Sequence, residues 1–269
     1  MRRLINQRPS ERVGILLAAL PFVLLIVVYL FASNARLAEN PKDKLLPAPS
    51  SFVESMRTMA LEPDQRSGQY LFWADTGASL QRLAIGAGVA IVVGLTLGLA
   101  IGLFPLVSRG LDPFVAVISM IPPLAVLPIL FITFGLGELS KVMLITIGIA
   151  PFLVRDVAFR ARELPKELII KAQTLGASSW HIVTRVALPM ILPRLIGALR
   201  LSLGPAWLFL IAAEAIAATE GLGYRIFLVR RFLAMDVILP YVAWITLLAF
   251  LMDMLLARLS RRLFAWAEA

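Results

Sequence analysis

Residues 170–189 read Ile170-Lys171-Ala172-Gln173-Thr174-Leu175-Gly176-Ala177-Ser178-Ser179-Trp180-His181-Ile182-Val183-Thr184-Arg185-Val186-Ala187-Leu188-Pro189, a polar and basic island between long apolar runs. The pattern predicts a short amphipathic helix, a break at Gly176, and a second short helix ended by Leu188-Pro189. Glycine reaches backbone conformations that other residues avoid, and proline removes a donor. A segment this polar cannot stay in hydrocarbon, so the island sits in water, and its shape suits a docking element.

The flanking runs set the class. The chain has 269 residues, 59% of them hydrophobic, with mean hydropathy +0.85 and several apolar stretches long enough to cross a bilayer. An ordinary soluble domain is excluded, and an all-α membrane protein is expected because helices satisfy their own backbone hydrogen bonds in lipid. Six spans are predicted, at about 13–32, 83–107, 114–136, 142–154 (extended at both ends), 195–218 and 237–257. The first follows Arg2, Arg3, Arg8 and Arg12 and exceeds a usual signal-peptide core, so it reads as an uncleaved anchor.

Lys and Arg near the span ends orient the chain. The N-terminal segment, the turn with Arg109, residues 155–194 and the tail with Arg258, Arg261 and Arg262 fall on one side, which predicts both termini in the cytoplasm. The net charge of +9 then reflects this bias and contact with anionic lipid headgroups, with no nucleic-acid partner. The lack of Cys and the single His181 exclude a disulfide framework, a thiolate nucleophile and a Cys- or His-based metal cluster. No catalytic residues are predicted.

Residues 1–78 hold one span and an extracytoplasmic connection with an amphipathic helix expected at 51–61, and residues 79–269 form the core, with the cytoplasmic loop at about 160–192. No internal repeat is visible, which argues against inverted-repeat carriers. Gly86, Gly88, Gly94, Gly98 and Gly102 put small residues at roughly every fourth position of the second span, a packing pattern. Ile121-Pro122-Pro123 interrupts the third span, where a kink is tolerated against protein or a cavity. Glu214 lies near the end of the fifth span, where an acid is costly enough to suggest function. Asp156 with Arg155, and Asp253 near Arg258, read as edge ion pairs. Tyr70, Phe72 and Trp73 read as an interfacial belt.

The island resembles the coupling loop of ATP-binding-cassette (ABC) importer permeases, Glu-Ala-Ala, three residues, Gly, nine residues, Ile, one residue, Leu-Pro. Here it reads Ile170-Lys171-Ala172, Gly176, Val186 and Leu188-Pro189, with Glu167 within one turn of the position where the family carries Glu. Leu45-Leu46-Pro47-Ala48-Pro49, Leu111-Asp112-Pro113, Ile121-Pro122-Pro123-Leu124-Ala125, Phe134-Gly135-Leu136-Gly137-Glu138 and Ala212-Ala213-Glu214 are similar to the nitrate, sulfonate, taurine and bicarbonate branch. Residues 204–244 resemble the subgroup associated with urea carboxylase and guanidine degradation.

The resemblance implies a type I importer permease fold in the bacterial inner membrane. It also implies pairing with a second copy, a cytoplasmic ATPase dimer and an extracytoplasmic solute-binding protein. No Gly-x4-Gly-Lys-Ser/Thr stretch occurs, so the chain itself holds no cofactor, and ATP and Mg are expected on the partner. Glu167, Lys171, Ala172, Leu175, Gly176, Ala177, Val186, Leu188 and Pro189 become the ATPase-coupling residues. Ser119, Met120, Pro122, Pro123, Glu214 and Glu220 become candidates for the translocation path or gate. Taurine and sulfonate permeases often carry Arg two residues before the Pro-Pro element, where this chain has Ser119, and Arg before Gly-Leu-Gly, where it has Glu220. That difference points to a neutral or cationic guanidine- or urea-like solute. Taurine or sulfonate, nitrate and bicarbonate are the alternatives, and an ion-coupled secondary carrier is the alternative class.

Overall fold

A computed structural model describes residues 9–41, 43–65 and 67–267. Arg2, Arg3 and Arg8, part of the expected basic front, lie outside the described residues. Eleven α-helices are described: α1 (Glu11–Glu39), α2 (Pro49–Leu61), α3 (Leu71–Leu103), α4 (Pro105–Ile118), α5 (Pro123–Phe134), α6 (Glu138–Arg162), α7 (Lys166–Thr174), α8 (Ser179–His181), α9 (Leu188–Ala217), α10 (Leu222–Arg230) and α11 (Met235–Leu263). A π-helical segment, Ile182–Ala187, joins α8 to α9. The runs α1, α3, α6, Ser179–Ala217 and α11 are each long and apolar enough to cross a membrane, and α4 with α5, bent by 94° where they meet, are so only when taken together, which fits a broken span or a re-entrant loop.

The centre of the bundle is the α3–α6 contact. Lipid tails are as apolar as leucine, so packing rather than hydrophobic burial holds two spans together, and small residues permit the closest approach. The glycines of α3 supply this. A Cβ at Gly86, Gly94 or Gly98 would lie 2.8, 2.7 or 2.6 Å from the side chains of Ile145, Leu153 or Val157, and one at Gly102 would collide with Ala161. Gly88 faces open space and does not belong to the stripe. α9 closes the other side of α6, and Leu83, Leu144, Ile149, Leu153, Leu210 and Tyr241 form the buried middle.

Three expectations change. The second span starts at Leu71 rather than residue 83, because Asp75, Thr76, Ser79 and Arg82 of its first turns are paired inside the protein; it stops at Leu103 before Pro105. Phe72 is buried edge-on against Tyr241 with ring centroids 5.6 Å apart, so it is a core residue, whereas Trp73 and Tyr70 are half exposed. Pro189 does not end a helix. The π-helical segment widens the turn before it, Leu188 N–H bonds the carbonyl of Val183, and Pro189 occupies the first turn of α9, where a missing donor costs nothing.

Candidate functional site

Three constellations stand apart from simple packing. The first is the island, now a helix-turn-helix outside the bundle. α7 ends in a Schellman turn: Gly176 has φ +80, its N–H bonds Gln173 O, and Ala177 N–H bonds Ala172 O at 3.0 Å. Ser178 then caps the next helix, its Oγ accepting from His181 N–H. The turn turns Leu175 outward at 88% exposure and Trp180 at 71%. Glu167, Lys171, Gly176 and the half-buried Ala172 and Ala177 share this protrusion, whereas Val186, Leu188 and Pro189 are half buried at its base. Trp180 was not singled out from sequence, although an aromatic residue inside a polar loop was the available signal.

The second is the break between α4 and α5. Pro122 and Pro123 cannot donate, so the chain closes α4 with Ser119, Met120 and Ile121 N–H bonds to Val115, Val117 and Ile118 carbonyls and restarts at Pro123. Between this elbow and α6 lies a cavity of about 670 Å³ walled by Ser119, Ile121, Pro123, Gly148, Phe152, Arg155, Asp156 and Phe159, among others. Met120 and Pro122 are exposed beside it, with Met120 at 76%. Ser119 Oγ donates to Ala116 O at 2.8 Å and accepts from Arg155 Nη1 at 3.0 Å. The expected Asp156–Arg155 pair is not formed, since successive helix residues point apart; Arg160 Nε approaches Asp156 at 3.8 Å instead. Asp253 likewise pairs with Arg200 of the facing helix at 2.8 Å, not with Arg258.

The third is a buried charge cluster at the end of the bundle opposite the island. Asp75, Ser79 and Arg82 lie at i, i+4 and i+7 on α3, one face of a helix. Arg82 forks onto Glu138 of α6 at 2.5 and 2.8 Å and reaches Glu214 Oε1 of α9 and Glu220 O, both at 2.8 Å. Glu214 is fully buried and also accepts from Ser79 Oγ and Gly223 N–H, each at 2.8 Å. Asp75 accepts Gly221 N–H at 2.8 Å and Arg225 Nε at 2.7 Å, while Leu222 N–H bonds Ser79 Oγ. Burial works against the Arg225 charge, and the Asp75 carboxylate outweighs it, holding the guanidinium pKa above its usual value. Thus Glu214 meets neither cavity nor lipid: it pins the start of α10. The Glu220 carboxylate is exposed, 3.9 Å from Arg82.

The described residues form a bundle of membrane-length helices with a proline elbow between α4 and α5 and a helical protrusion beyond α6, the architecture of an integral membrane protein. Residues 90–265 match the family described as "Binding-protein-dependent transport system inner membrane component", and the chain belongs to it. It is 38% identical over 221 residues to the taurine transport system permease protein TauC of Escherichia coli (strain K12), covering 82% of this chain and 80% of that one. It is 32% identical over 224 residues to the bicarbonate transport system permease protein CmpB of Synechococcus elongatus, covering 80% of each. The fold matches the inward-facing MetNI methionine ABC transporter with a TM-score of 0.63 at 22% identity, covering 71% of this chain and 96% of the matched chain. The chain therefore has the type I ABC importer permease fold and is a permease subunit, with ATP hydrolysis belonging to a separate subunit. Nothing in these findings supports a secondary carrier.

Proposed function

We propose that this chain is one half of the pore of an ATP-driven importer of the bacterial inner membrane. Two copies pair, an ATPase dimer carrying ATP and Mg seats on the two islands, and an extracytoplasmic solute-binding protein delivers a small solute to the opposite end. The observation that carries the reading is the island. Leu175 and Trp180 are held in water by a Schellman turn and a capped helix, so a rigid knob exposes apolar surface that only a partner would bury. Glu167, Lys171, Ala172, Gly176 and Ala177 shape the knob; Val186, Leu188 and Pro189 tie it to α9, so that a push on it moves the whole Ser179–Ala217 run. Ser119 and Pro123 face the path through the α4–α5 cavity, and Met120, Pro122 and Glu220 flank it.

The guanidine- or urea-like solute expected from residue types keeps one support, the exposed Glu220 carboxylate. The relatives' names support taurine, sulfonate, nitrate or bicarbonate. Purification of the tagged chain from its membrane in mild detergent tests the proposal: a P-loop ATPase is expected to co-elute in equal amount. Recovery without any ATPase, under conditions that keep a known importer intact, would refute it.

A further inference from the structure

Gly148 of α6 differs from the packing glycines of α3. Gly86, Gly94, Gly98 and Gly102 are sealed in the α3–α6 seam, whereas Gly148 stands on the wall of the α4–α5 cavity with Ile147, Pro151 and Phe152. The ring of Phe209, from α9, fills the notch left by its missing side chain. A Cβ at Gly148 would collide with Phe209 Cδ2 and Cε2 and lie 3.0 Å from Cγ. Phe209 is buried there at 8% exposure, its ring against the backbone of α6. The same stretch of α6 is weakened. Pro151 has no N–H to give the Ile147 carbonyl, and its ring crowds that carbonyl, so the helix has a bending point beside the glycine. A rigid aromatic ring therefore bears on the part of α6 best able to yield, and that part is cavity wall.

Both helices lead to the island. α6 ends at Arg162, shortly before α7, and α9 begins where the π-helical segment leaves the island. Gly148 is about 20 Å along the axis from that end of α6, too far for a partner on the island to touch. Displacing the island shifts α6 and α9 against each other, and the ring in its notch is where that shift reaches the cavity. We propose that Phe209, seated on Gly148, is a positioning residue for transport: it carries movement of α9 to the cavity wall by bending α6 at residues 147–151. This rests on the permease reading and names the contact through which the island acts on the path. Coupling between distant sites needs an element with two arrangements, and a proline-weakened helix turn beneath a packed ring supplies one. A methyl group at position 148 would drive the ring off the wall, so glycine is what lets α9 reach the backbone of α6.

The chain has no Cys, so one placed on the cavity wall reports the state of that wall. Ile121→Cys, a wall position at 44% exposure, is labelled with fluorescein maleimide in the permease–ATPase complex in nanodiscs, with and without ATP plus vanadate. The labelling rate is expected to change about fivefold between the two states. Gly148→Ala displaces the ring and Phe209→Ala empties the notch; each should remove most of that change while the ATPase still co-elutes and hydrolyses ATP. Gly148→Ala combined with Phe209→Leu, which gives back the space the methyl takes, should recover it. A contact that only packs the bundle would lower the thermal midpoint of the variants yet leave the nucleotide-driven change intact in their complexes, and that result overturns the proposal. So does an assembled double variant without recovery, or a parent complex that hydrolyses ATP with no change at position 121. Absence of the ATPase from the parent sample would count instead against the permease reading.

Discussion

Arg82 and Glu214 show what one residue pair decides here. A carboxylate withdrawn from water is tolerable only when paired and hydrogen-bonded, and Glu214 has Arg82, Ser79 and Gly223 around it. Removing one member strands the other. Glu214→Leu or Arg82→Met should each destabilise the protein by about 3–5 kcal/mol, read as a fall in the thermal midpoint of the detergent-solubilised chain. The double variant should lose less than the two single losses together, because neither charge is then left without its partner; strict additivity would show the pair to be uncoupled. The sequence announced Glu214 as an unusual acid, but not its confinement. That follows from Gly221 and Gly223, whose missing side chains let the loop close over the carboxylate: a Cβ at Gly221 would lie 2.5 Å from Glu214 Oε1.

At the scale of elements, the island and the proline elbow obey local rules. Spacing alone located the Gly176 turn, since a helix end that needs a left-handed residue selects glycine. It misread Pro189, because the period of a π-helical segment is invisible until the chain has folded against its neighbours. Gly176 has open space around it, so substitutions there separate folding from docking. Gly176→Ala should cost only about 1 kcal/mol of backbone strain and leave uptake near normal. Gly176→Arg should insert correctly, judged by expression and detergent profile, yet abolish ATP-driven uptake in proteoliposomes. Uptake at wild-type rate in the inserted Arg variant would remove the island from the mechanism.

The whole molecule presents long apolar faces outside its core, among them all of α1, where only Ser33 is buried. The cavity on α6 and the exposed α5, with Ile132 at 84% exposure, are the faces that the proposed pairing of two copies would cover. Native mass spectrometry of the purified complex should therefore give two copies of this chain with two ATPases; a single copy with full ATPase activity would contradict it. Composition and the lengths of apolar runs determined by themselves that the chain crosses a membrane several times, since the cost of bare backbone in lipid admits few other solutions. The turn of the island likewise stood in the sequence, because it is closed by residues a few positions apart. Only the tertiary structure decided that Arg82 serves Glu214, 132 positions away, and that Arg155 comes to Ser119 from 36 positions along. Charge in a low-dielectric interior is settled by whichever group lies within about 3 Å, and that distance is a property of packed helices rather than of neighbouring letters.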